Sequence, residues 1–124
     1  MSSTVLTKAQ VGRVLKWAQQ TLGLDEYDIR LDYAVERPDW AGDVGAGIVG
    51  CVATRVEWAD AVVWVAKVAD DEDGGPVHTA LHELLHIAFE DAGIDADSRN
   101  VEKLMNKLAT VMEVVCRKNV RLPK

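Results

Sequence analysis

Every histidine of this chain lies in one nine-residue stretch, HTALHELLH, from His78 to His86. Within it, His82-Glu83-Leu84-Leu85-His86 has the form HExxH. On a helix, residues four apart share a face, one turn and about 6 Å apart along the axis. Two imidazoles so placed can converge on one zinc ion at about 2.0–2.1 Å each. Glu83 follows the first histidine but is rotated from it by about 100°. It can therefore reach a water on the metal without binding the metal itself. Zinc lowers the pKa of such a water and the glutamate takes its proton, which is the chemistry of a hydrolytic site. The competing explanation is a chance histidine pair on an amphipathic helix. A capped helix following a strand, with a partner glutamate beyond it, argues against chance.

His78 lies two turns, about 12 Å, before His86, so all three histidines of one straight helix cannot share an ion. It is a supporting group, a donor to a transition state or, most simply, an exposed first-turn residue. A catalytic zinc needs a third protein ligand, and no histidine follows His86. Glu90, one turn on, has the same reach problem as His78. Asp91, Asp95 and Asp97, in the turn region, remain open. Glu102 is the strongest candidate on geometry. The histidine helix continues about 9 Å past His86 before Gly93 stops it. The short connection that follows favours a returning helix. Glu102 then comes about 7.5 Å back, near the level of His86, whereas Glu113 would overshoot by about 16 Å. Asn106, one turn beyond Glu102 on the same face, is placed to support a ligand or hold a substrate backbone group.

The elements that must position these residues follow from periodicity. Thr7 to Leu22 predicts a helix, with Thr7 as cap, Val11, Val14, Leu15 and Ala18 at helical spacing, and Gly23 as stop. Tyr27 to Val35 alternates as a half-buried strand, with Tyr27, Ile29, Leu31, Tyr33 and Val35 on one face. Glu36 to Gly47 is broken by Pro38, Gly42, Gly45 and Gly47 and predicts a loop. Val52 to Trp58 alternates as a second strand, and AVVWVAKVA after Asp60 as a third, close enough for an antiparallel hairpin. After an acidic break over 70–75, Pro76 opens the histidine helix, which Gly93 ends. Its Leu81, Leu85, Ala88, Phe89 and Ala92 form a stripe to bury against the sheet. A last helix runs from about Asp97 or Ser98 to Cys116, with Val101, Leu104, Leu108, Val111 and Val115 as its core stripe.

The bulk numbers bound the rest. A chain of 124 residues, 48% hydrophobic and 27% charged, fits one soluble domain over 1–124. A net charge of −6 argues against a general nucleic-acid binder. The basic end, Arg117, Lys118, Arg121 and Lys124, reads as a solvated tail. No signal peptide or membrane span is expected, and free thiols would fit a reducing, cytoplasmic setting. Cys51 and Cys116 stand far apart outside any CxxC and are expected as free buried thiols. Gly45 to Gly50 matches GxGxxG, but a β-rich stretch follows it and no βαβ unit surrounds it, so it is read as a flexible loop.

HELLH followed by Glu102-xx-Met105-Asn106-x-Leu108-Ala109 resembles the glutamate-zincins, most of all the small ImmA/IrrE-type metallopeptidases. The specific likeness spans Pro76 to Thr110; the order of a helix, three strands and two helices also agrees. Leu85 stands where the family often has Gly, and Met105 where it often has Ala. No Tyr or His follows His86, so Tyr27, Tyr33 and His78 are the only candidates of those types for an oxyanion donor. The resemblance implies a zinc peptidase with His82, His86 and Glu102 as ligands and Glu83 as base, in a phage or bacterial setting.

The sequence thus leads to an α+β, minimal zincin-like domain with a three-stranded sheet, an active-site helix and a ligand-bearing C-terminal helix. Its expected activity is that of a zinc metalloendopeptidase acting on a protein or peptide, with neither nucleic acid nor membrane as partner. A zinc-binding interaction module with weak or no catalysis is the alternative.

Overall fold

The computed structural model describes residues 4–41, 49–70, 75–95 and 98–123. In chain order these form β1 (Thr4–Val5), α1 (Lys8–Thr21), β2 (Asp28–Ala34), β3 (Gly50–Arg55), β4 (Asp60–Ala66), β5 (Ala69–Asp70), α2 (Pro76–Asp91) and α3 (Arg99–Asn119). This is the expected α+β class. The glycines at 42, 45 and 47, the break at 71–74 and Asp97 lie outside the described residues.

The main sheet has the order β2-β4-β3. β3 and β4 make the anticipated antiparallel hairpin, while β2 runs parallel to β4, so the sheet is mixed. β4 is flanked on both sides, which explains its nearly unbroken apolar run. Ala61, Val63 and Val65 belong to the main core, while Trp64 is buried outside it and donates its indole N–H to the Ala34 carbonyl at 3.1 Å. β1 and β5 pair antiparallel over two residues each, too short for any alternation to announce them.

Two strand ends differ from expectation. The second strand stops at Arg55, and Val56–Trp58 form a 3-10 turn. The chain must reverse there to enter β4. Ala59 does so in the left-handed region, φ 49°, and a two-pronged Arg55–Asp60 ion pair at 2.8 and 2.5 Å clasps the hairpin base. Trp58 is left 71% exposed, with the Arg55 guanidinium over its ring. Val35, expected on the buried face, lies beyond the end of β2 and is exposed.

α1 is anchored by Thr7, which accepts from the Gln10 amide while the Gln10 side chain accepts from the Thr7 amide. Such a capping box contributes about 1 kcal/mol. Its Val11, Val14, Leu15 and Ala18 are buried, as the spacing predicts. α2 starts with Pro76 in its first turn and ends before Gly93, whose φ of +76° suits glycine. It lies on β3 and β4 and is flanked by α1 and α3. Hence it buries far more than one stripe: Val77, Ala80, Leu84 and Ile87 as well as Leu81 and Leu85. Ala88 and Phe89 pack partly, while Ala92 is exposed.

α3 corrects the sequence reading most. Ser98 caps it, which agrees with the expected start at about Asp97 or Ser98, but the helix runs on to Asn119 and buries Met105, Ala109 and Cys116. Val101, Leu108 and Met112 pack at the core's border, whereas Leu104, Val111 and Val115 are exposed. The helix is apolar over a wide arc, and the predicted stripe lay at its outer edge. The extra turns also place Arg117 inside the helix. There it pairs with Glu113 at 2.8 Å and Asp70 at 3.0 Å instead of fraying with the tail. Cys116 is buried and Cys51 only partly so; both are free.

Candidate metal centre

His82 and His86 occupy successive turns of α2, next to Leu81 and Leu85, which hold that side of the helix in the core. The imidazoles therefore sit at the core's rim, with side chains 12% and 16% exposed. Their Nε2 atoms face each other at 3.2 Å. Glu102, in the first turn of α3, completes the group. Its Oε1 lies 2.6 Å from His82 Nε2 and its Oε2 3.5 Å from His86 Nε2. Among the described residues this is the one cluster of His, Cys, Asp or Glu fitted to hold a metal ion.

The spacing suits such an ion. Donors around a tetrahedral ion with bonds of about 2.0–2.1 Å stand about 3.3 Å apart. The separations of 3.2 and 3.5 Å meet that value. The 2.6 Å contact is shorter, as for an imidazole N–H donating to a carboxylate. Three groups that offer lone pairs thus converge on one point.

Glu83 projects differently, as its rotation requires. It is 7% exposed, and its environment pushes its carboxyl up to about 8, first through burial and then through the charge of Glu102. Gly50, the first residue of β3, passes so close that a Cβ there would lie 2.9 Å from Glu83 Oε2 and still nearer to Thr79 Cγ2. The carboxyl is therefore wedged between α2 and β3. Burial and the Glu83 charge also push the Cys51 thiol up. The sequence reading missed Gly50, which it absorbed into a glycine-rich loop. A glycine opening a strand was the available signal, because it marks close backbone approach.

His78 is neither exposed nor a member of the cluster. Its ring stacks 6.5 Å from that of His82, and its Nδ1 lies 3.6 Å from Glu113 Oε1. Bonding to Glu113 raises its pKa most, burial opposes this, and a bond to the Asn106 side chain raises it further. Asn106 thus reaches His78, and Nδ1 of His82 is buried without a hydrogen-bond partner. Glu113 does overshoot Glu102 and meets the first turn of α2 instead. Asp91 accepts the Tyr27 hydroxyl at 2.9 Å and lies outside the cluster, as do Glu90 and Asp95.

No helix among the described residues is long and apolar enough to cross a membrane. Comparison with protein-family models, curated proteins and solved structures gives no match.

Proposed function

We propose that this chain is a zinc metallopeptidase in which His82, His86 and Glu102 hold the ion and Glu83 is the general base. The observation that carries the reading is the arrival of both Glu102 oxygens at the two Nε2 atoms, with Glu83 aimed elsewhere. Two imidazoles and one carboxylate are a catalytic zinc set that leaves a coordination position open. Zinc bound there supplies Lewis acidity and lowers the pKa of water.

The remaining work falls to the chain. Glu83 accepts the proton of the attacking water and returns it to the leaving amine. It can do so only when ionised, so a cation at the cluster must offset its burial and the charge of Glu102. Among the described strands β3 lies at an edge of the sheet, and an extended peptide laid along its outer side would pass the Glu83–Gly50 contact. The resemblance of HELLH and the Glu102–Asn106 segment to glutamate-zincins agrees with this assignment.

The alternative, a metal-binding interaction module, draws on one observation. Tyr27 and His78, two candidates for an oxyanion donor, are engaged by Asp91 and Glu113. One experiment separates the readings. Wild type and Glu83→Gln are loaded with zinc, their metal content is measured, and both are given a mixed peptide library. The peptidase reading expects equal zinc and a rate loss of roughly 10²–10⁴. No cleavage by zinc-loaded wild type leaves the module; no zinc uptake defeats both.

A further inference from the structure

The outward face of α3 carries an apolar strip that the core does not use. Leu104, Val111 and Val115 are 47%, 63% and 45% exposed, with Val114 beside them at 57%. Together with Leu108, partly buried at the core's edge, they keep the alternating three- and four-residue spacing of a helix-pairing seam. From residue 104 to 115 the strip runs about 16 Å along the axis. Lys103, Lys107 and Lys118 flank it, all exposed.

The exposed charges that α3 places beside this strip are lysines. The two acids of α3 are turned away from it: Glu102 to the histidines and Glu113 to His78 and Arg117. Arg117 is drawn to Glu113 and Asp70, while Lys103, Lys107 and Lys118 stand exposed beside the strip. A protein of net charge −6 therefore borders this apolar strip with lysines.

We infer that this face docks an acidic amphipathic helix of a partner protein, whose aliphatic seam packs on Leu104, Val111 and Val115 and whose carboxylates meet the flanking lysines. Charge selects this occupant. A second copy using the same face would bring lysines against lysines. Nucleic acid would satisfy the lysines but leave the aliphatic strip against phosphates and sugars. The strip has neither the Trp nor the Phe that anchors helices at a lipid surface, and three of its five residues are valine. The site is independent of the metal reading, because Glu102 and the strip lie on opposite sides of α3.

The test uses the full chain with a synthetic amphipathic helix carrying Leu at the a and d positions and Glu at e and g. The comparators are the same peptide with Lys at e and g, a duplex DNA oligomer, and phosphatidylcholine vesicles containing phosphatidylglycerol. Calorimetry reads binding, and sedimentation reads self-association. Saturable binding of the Glu peptide, weakened by salt, with none of the Lys peptide, is expected. Leu104→Ser combined with Val111→Ser should weaken it by at least about tenfold, with helicity and zinc content unchanged. Lys103→Glu combined with Lys107→Glu should transfer binding to the Lys peptide. Equal binding of both peptides, no binding of the Glu peptide, or indifference to the Leu104/Val111 change would overturn the proposal. So would preference for DNA or vesicles, or dimerisation lost on the same substitution.

Discussion

Glu83 should make the metal-free protein less stable as pH rises, and Glu83→Gln should remove that effect. The folded carboxyl is pushed from 4.5 to about 8, chiefly by burial and then by Glu102. A raised carboxyl pKa means that the folded state binds its proton more tightly than the unfolded one. Stability is therefore unaffected below about pH 4.5, falls through the interval up to about 8, and is flat above it. At about 1.4 kcal/mol for each tenfold change in proton affinity, the loss is about 5 kcal/mol. That is a large share of the total stability of a domain this size. Glutamine keeps the shape and a polar terminus but cannot ionise. The assay is urea unfolding of chelator-treated wild type and Glu83→Gln between pH 4 and 9. The difference in unfolding free energy should grow in favour of glutamine with rising pH and level off above about 8. A difference that stays constant with pH would show that Glu83 is not held as its burial describes. Added zinc should abolish most of the pH dependence in wild type, because a nearby dication favours the carboxylate.

Three further outcomes follow from neighbouring residues. Glu102→Ala should weaken zinc binding by more than about a hundredfold, beyond the loss usual for a residue that only supports a ligand, as read by competition with a chromophoric chelator. It should also lower the Glu83 pKa part of the way, since Glu102 is the second cause of its shift. Gly50→Ala should cost about 1–3 kcal/mol through overpacking against Thr79 and Glu83 and slow any peptide cleavage, with zinc content retained; an unchanged melting curve would disprove the close approach. Glu113→Ala should keep full zinc content yet lose about 1 kcal/mol, a figure reduced for partial exposure of the His78 pair. His78, raised, contributes below about 6.5 and loses its contribution as pH climbs through its folded pKa; Glu113, lowered, contributes above about 4.5 and loses it as pH falls. The loss should therefore peak between those values, and a maximum at pH 9 would contradict the pair.

What the sequence made legible was local. HExxH spacing, Pro76, Gly93 and a helix start at about Asp97 or Ser98 outline two helices and the turn between them, and rise per residue then brings Glu102 level with His86. Long-range pairing was not legible in the same way. Nothing in Tyr27–Val35 states that β2 will run parallel to β4, and two-residue strands carry no period. The α3 stripe failed for a different reason. A 3-4 spacing identifies an apolar arc but not which edge faces the core, and here the arc is wide enough for both Met105–Ala109–Cys116 and Leu104–Val111–Val115.

The site itself runs against what stability alone would choose. Glu83 sits in a helix otherwise buried by apolar residues, where leucine or glutamine would cost less. Glu102, a free surface carboxylate in any ordinary first helical turn, is brought close enough to raise the Glu83 pKa. His82 and Glu102 pair at 2.6 Å, but the charge of Glu102 opposes that of Glu83, and the two imidazoles turn their Nε2 atoms toward each other. A divalent cation reverses both conflicts together, since it attracts each carboxylate and accepts each nitrogen lone pair. The proposal of a metal site therefore rests on the energetics of the group as well as on its spacing. That the costly acid is Glu83, directly beside a ligand but not one of them, is what favours a hydrolytic use of the site over a structural one.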